Sequence, residues 1–142
     1  MTKAIRIHTP TLASVGGDAS KIDTRTPAAT DLLKTDFADV LGKKPIVLVF
    51  ATPLLCQSRV CGPVVDVAEE VKSEVGDKAE FIHMEIYNDN EVAKGFRPQV
   101  AAFHLPTEPW LFVINRQGKI ADRIEGAFSV DELRAAVKKG LE

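Results

Sequence analysis

The chain has 142 residues, the span of one domain, and 45 % of them are apolar and 27 % charged. That mix suits a globular core and excludes a disordered chain, a collagen and a coiled coil. The net charge of −2 gives no reason to expect nucleic acid or an anionic membrane as partner. No apolar run approaches the ~18 residues of a membrane span, and residues 1–14 lack the apolar core of a signal peptide. The expectation is a monomer in the cytoplasm, or in the cell envelope if a signal or anchor has been trimmed.

Residues 1–29 are rich in Thr, Ala, Ser, Gly and Pro. They read as an N-terminal arm on a domain spanning 30–142, with extended pieces at 4–8 and 21–23. Thr30 or Asp31 caps a short helix carrying Leu32, Leu33, Phe37, Val40 and Leu41 at helical spacing, and Gly42 ends it. The continuous run Pro45-Ile-Val-Leu-Val-Phe50 predicts a strand covered on both faces, hence central in its sheet. Val60, Val64, Val67, Val71 and Val75 then predict an amphipathic helix from near Ser58, stopped by Gly76.

Residues 80–87 alternate, with Ile82, Met84 and Ile86 on one face and Phe81, His83, Glu85 and Tyr87 on the other. The polar face is expected to be half-exposed or hydrogen-bonded. Were it buried, its polar groups would need partners, and one could relay protons. A helical turn is expected over 91–95, broken by Arg97-Pro98. Trp110-Leu-Phe-Val-Ile114 is a strand, Asn115-Arg-Gln-Gly118 a turn, and 119–125 its hairpin partner. Ser129 with Glu132 forms a capping box for a last helix. The order βαβ then ββα predicts an α/β fold, a mixed sheet of about five strands with helices on both faces.

Cys56 follows the loop after the central strand, and Cys61 falls five residues on, past the expected helix start near Ser58. Two thiols so close ask for a redox, metal or disulfide role. A thiol at a helix N-terminus feels the positive end of the dipole, which favours the reactive thiolate. Within a helix, residues five apart differ by about 7.5 Å in rise, whereas a disulfide needs Cα atoms within roughly 4.4–6.8 Å. A bridge therefore requires Cys56 off the helix or an irregular first turn.

The run Ile46–Phe50, the triplet Cys61-Gly62-Pro63 and the stretch from Glu108 through Ile120 resemble the thioredoxin-like superfamily over roughly residues 31–142. The hairpin stretch is similar to extracytoplasmic thiol-disulfide oxidoreductases, and Ala51 to Pro63 to a redoxin-like bacterial subgroup. The spacing departs from the superfamily's C-x-x-C, being C-x₄-C, with Val64 where a second cysteine would stand. The resemblance implies a thioredoxin-like mixed sheet flanked by helices. It also implies Pro109 as a cis-proline shaping a substrate groove, with Glu108 beside it.

On this reading the chain is a thiol-disulfide oxidoreductase. Cys56, nearer the loop, is the attacking nucleophile and Cys61 resolves the mixed disulfide. Glu85 and Glu108 are candidate proton relays, because the Pro45–Phe50 strand carries no acid. Arg59 could stabilise a Cys56 thiolate. The expected partners are protein or small-molecule thiols and disulfides plus a redox partner, with no cofactor and no metal.

Alternatives are a peroxidase, since Thr52-Pro53 and the cysteine spacing echo a peroxiredoxin class, and a redox-inert binding domain with a structural disulfide. A copper chaperone using His104 is weaker, because those proteins space their cysteines C-x₃-C. His104 reads as a loop residue, and Trp110 and Phe112 as core.

Overall fold

In the computed structural model the described residues are 1–55 and 61–142. The main elements are α1 (Phe37–Val40), β1 (Ile46–Phe50), α2 (Cys61–Val75), β2 (Glu80–Met84), α3 (Pro98–Ala102), β3 (Trp110–Ile114), β4 (Ile120–Glu125) and α4 (Val130–Leu141). They build one mixed sheet in the order β2-β1-β3-β4. β1 runs parallel to β2 and antiparallel to β3, which pairs antiparallel with β4. Among the described residues no helix is long and apolar enough to cross a membrane.

β1 is buried at all five positions, as its unbroken apolar run requires of a central strand. Its alternate side chains feed two cores. Val47 and Val49 join Phe81, Leu111 and Val113 beneath α2 and α4, where Val64, Ala68, Val71, Leu133 and Val137 pack. Ile46, Leu48 and Phe50 join Ile82, Met84, Phe112 and Ile114 on the opposite face. There Phe50 lies 5.2 Å from Phe103 and 6.1 Å from Phe112 between ring centroids, in the edge-to-face and tilted arrangements that aromatic rings favour.

Among the described residues the sheet has four strands rather than five. In the arm, residues 4–8 form no strand: Lys3 makes an isolated bridge with Lys119, and Ala4 N donates to Gly118 O. Lys21 belongs to a turn of 3₁₀ helix, Ala19–Lys21, capped by Asp18. The helix expected over 30–41 is two short turns, Thr30–Leu32 and α1, because the Asp36 side chain accepts from Ala38 N and starts a new turn. Pro98 opens α3 instead of breaking a helix, its fixed φ suiting the first position. The turn at 91–95 is 3₁₀ helix over Val92–Lys94.

Other expectations hold. In the β3–β4 turn Asn115 Oδ1 accepts from Gln117 N and Lys119 N. Ser129 and Glu132 make the reciprocal capping box of α4. α2 runs from Cys61 to Val75, with Val64 and Val71 buried and Val67 and Val75 half-buried. Its expected start near Ser58 and the position of Val60 lie outside the described residues.

Gly140 sits in α4 against β3, where an added Cβ would collide with Val113 Cγ1. Alanine is the better helix former by about 0.8–1 kcal/mol, yet overpacking a buried β-branched neighbour costs about 1–3 kcal/mol. Gly140→Ala is therefore expected to lower the denaturation midpoint in a urea melt. A rise would show that Val113 yields freely.

Candidate functional site

β1 ends and β3 begins at the same end of the sheet, with Phe50 opposite Trp110. The segment joining β1 to α2, which carries Cys56 and leads directly into Cys61, leaves from this end. Cys56 and Arg59 lie outside the described residues. Cys61 is the first residue of α2. Pro109 is buried directly before β3, and the Glu108–Pro109 bond is cis, as expected; Thr26–Pro27 is also cis. Glu108 is half-buried.

The polar face of residues 80–87 is not half-exposed. His83 and Glu85 are each only 1 % exposed, although β2 is an edge strand. The alternation puts them on the α2 side of the sheet, and the N-terminal segment covers them there. Asp23 Oδ1 stands 3.6 Å from His83 Nδ1, and His83 Nε2 lies 2.8 Å from Ala51 O and 3.6 Å from Glu85 Oε2. That same Glu85 oxygen accepts from Thr24 N at 2.8 Å and from Thr24 Oγ1 at 3.0 Å. Thr24 Oγ1 in turn accepts from Leu54 N at 3.0 Å. A continuous hydrogen-bonded path thus joins the buried Glu85 carboxyl to a backbone amide two residues before Cys56.

Asp23 is fixed by its own segment, its two oxygens accepting from Arg25 N and Ala29 N at 2.8 Å each. Arg25 pairs with Asp66 and Glu69 of α2, tying the segment to that helix. Asp23, His83 and Glu85 also bring one potential ligand atom each within 4.8 Å of one another. However, the two carboxylates face different nitrogens of the imidazole, and three of the four carboxylate oxygens are engaged or facing the ring already. The arrangement suits an ion-paired histidine better than a metal held by all three.

Electrostatics follow from this packing. Burial alone would raise the Asp23 carboxyl, but His83 and the two backbone N–H groups carry it below the ordinary value. Burial would lower His83, yet Asp23, Glu85 and the Ala51 carbonyl carry it above its ordinary value. Glu85 is raised by burial, which outweighs His83, Thr24 and Thr52. Glu108 is raised by burial and by the nearby Glu85 carboxylate.

Sequence reasoning singled out Glu85, Glu108 and Pro109, and the structure brings them to one end of the sheet. It missed Asp23 and Thr24, which sit in a polar, turn-rich segment with no periodicity to mark them. His104 is exposed, in a left-handed turn with φ 54°. Phe112 is buried in the core, and Trp110, only partly buried, stacks on it at 5.8 Å.

Both His83 and Glu85 bind protons more tightly in the fold than in the unfolded chain. The native state therefore carries more protons, and stability falls as pH rises through the folded values. Asp23, shifted downward, contributes stability above its unfolded value that is lost as pH falls through its folded one. Urea midpoints measured from about pH 6 to 9, upward from the ordinary histidine value, should decline. A flat or rising profile would contradict the buried imidazolium.

No family model matches the chain, and no curated protein sequence does. Solved structures match in shape. A structure described as a thiol:disulfide interchange protein DsbE of Chlorobium tepidum is 14 % identical, with a TM-score of 0.68 over 99 % of this chain and 96 % of that one. A thiol:disulfide interchange protein of the thioredoxin family from Chlorobium tepidum TLS is 16 % identical, with a TM-score of 0.67 over 99 % and 97 %. The chain has the thioredoxin-like fold.

Proposed function

We propose that the chain is a thiol-disulfide oxidoreductase that works through Cys56 and Cys61. The observation that carries the reading is the hydrogen-bonded path from buried Glu85 through Thr24 to Leu54, in the segment that bears Cys56 and leads into Cys61. The names of the two similar structures support the same chemistry. Its substrates would be protein or small-molecule disulfides and thiols.

In the reducing direction, the Cys56 thiolate attacks one sulfur of a substrate disulfide. A mixed disulfide forms and one substrate thiolate leaves. The Cys61 thiolate then attacks the Cys56 sulfur, releasing the second substrate thiolate and closing a Cys56–Cys61 disulfide. Two electrons pass from the dithiol to the substrate. The protons shed by the dithiol go to a nearby base, and Glu85 and Glu108 are assigned that role. An acid whose proton affinity is raised by burial suits transfer nearer neutral pH. Pro109, buried at the head of β3, is assigned to the substrate groove with Glu108 beside it.

Air-exposed protein should carry one intramolecular disulfide, read by mass spectrometry after alkylation with and without reduction. Cys56→Ser should abolish insulin-type reductase activity, while Cys61→Ser should accumulate mixed disulfides. Trapping by Cys56→Ser instead would exchange the two roles, and two alkylated thiols in air would sink the reading.

A carboxylate near a thiol disfavours its thiolate. Glu108→Val should therefore lower the Cys56 pKa and make the disulfide more oxidising, since a better-stabilised thiolate favours the reduced form. Thiolate absorbance against pH and a glutathione titration measure both. Superimposable curves would remove Glu108 from the site.

A further inference from the structure

We propose that His83, held as a buried imidazolium by Asp23, is a positioning residue for the cysteine-bearing loop: it fixes the Ala51 carbonyl and keeps the Glu85 carboxyl able to exchange protons. The role given to Glu85 rests on the reading above; the charge state of His83 does not.

The ring's surroundings settle where its protons sit. Ala51 O can only accept, so Nε2, 2.8 Å away, carries a hydrogen. Nδ1 has no hydrogen-bond partner but faces Asp23 Oδ1 at ion-pair distance, 3.6 Å, and both Asp23 oxygens already accept backbone N–H bonds, which marks an ionised carboxylate. A lone pair on Nδ1 would point at that negative charge, whereas an N–H there is attracted. Both nitrogens are therefore protonated, in a place where an unpaired charge would be costly. Although burial opposes it, Asp23, Glu85 and the Ala51 carbonyl carry the ring's titration above its ordinary value, in keeping with that charge.

Glu85 is the acid most affected. It lies just past the end of β2, on the same face as His83, 3.6 Å from its Nε2. Facing or influencing it are Asp23 and Thr24 from the arm, Thr52 from the loop after β1, Glu108 from the approach to β3, and Arg97 from the approach to α3. Burial pushes the Glu85 carboxyl toward its neutral form. The His83 cation, 3.6 Å away, opposes that push. Without it, the Glu85 carboxyl would release its proton only at higher pH. Asp23, which makes no hydrogen bond to Glu85, controls the site by keeping that cation charged.

The imidazole ¹⁵N signals of His83 test the charge directly. In the wild type both ring nitrogens should stay protonated at pH 7 and above the ordinary histidine range. A neutral ring with Nδ1 unprotonated at pH 7 would overturn the proposal, whatever the dithiol does. In Asp23→Asn, and independently in His83→Gln, the ¹³C titration of the Glu85 carboxyl should move to higher pH. The break in the pH dependence of the disulfide potential should move with it. Glu85→Gln should remove that break and make His83→Gln silent on the potential. Variants that lose thermal stability while the Glu85 titration stays in place would reduce His83 to a packing role and overturn the proposal. If either variant fails to fold, the other is read, and the wild-type ¹⁵N titration still decides the charge. A wild type with no disulfide exchange but with His83 doubly protonated would sink the functional reading and leave the imidazolium standing.

Discussion

A histidine and two carboxylates cannot be withdrawn from water side by side unless their charges and hydrogen bonds are mutually satisfied. Much of the site depends on how that demand is met at Asp23, His83 and Glu85. The desolvation of each ion alone amounts to several kcal/mol, and breaking such a pair by removing one member typically costs about 3–5 kcal/mol. The chain meets most of that demand with groups from two places, the arm and the end of β1, while His83 Nδ1 and Glu85 Oε1 have no hydrogen-bond partner among the described residues. Backbone N–H groups of Arg25 and Ala29 hold Asp23, Thr24 holds Glu85, and the Ala51 carbonyl receives the ring proton. None of these partners is near His83 in sequence, so the cluster forms only when the arm, the end of β1 and the end of β2 are together.

That requirement explains why an edge strand is buried on both faces. β2 has one strand neighbour, and its apolar face packs with Phe37, Phe50 and Val100. Its other face would be wet but for the segment from Asp23 to Leu32. Ala29 and Leu32 enter the core beneath α2, and Arg25 grips Asp66 and Glu69 on that helix. The apolar residues of the segment are anchored by burial, and that anchoring holds Asp23 and Thr24 in register with His83 and Glu85.

The regular part of the fold was legible because its signals are local. The unbroken Ile46–Phe50 run can only be a central strand, the valines of α2 mark one helical stripe, and Ser129 with Glu132 caps a helix within four residues. Where the reading failed, the deciding contact was distant or a polar side chain intervened. Asp36 restarts the chain at α1 and splits the expected helix. Lys3 and Ala4 reach only one rung against the β3–β4 turn, so no fifth strand forms. The alternation of residues 81–86 was right in phase, but phase does not say what covers a face. Burial of His83 and Glu85 depends on residues some sixty positions earlier, |i−j| = 61 for Thr24 and Glu85, and no periodicity within the arm announces that contact.

The arm and the cysteine-bearing loop are therefore one mechanical unit. Leu54 is itself exposed, and its amide is held by Thr24. Ala51 is held by His83. The stretch between them, Thr52-Pro53, is consequently fixed at both ends by groups that the Asp23–His83–Glu85 cluster orders. A hydroxyl at position 24 donates to Glu85 while accepting from Leu54, so one side chain couples the placement of the loop to the buried carboxyl. Valine there would keep the shape and lose both bonds, whereas serine would keep both. The loop's position and the acid's proton are thus set by the same few atoms, and neither can be altered without the other responding.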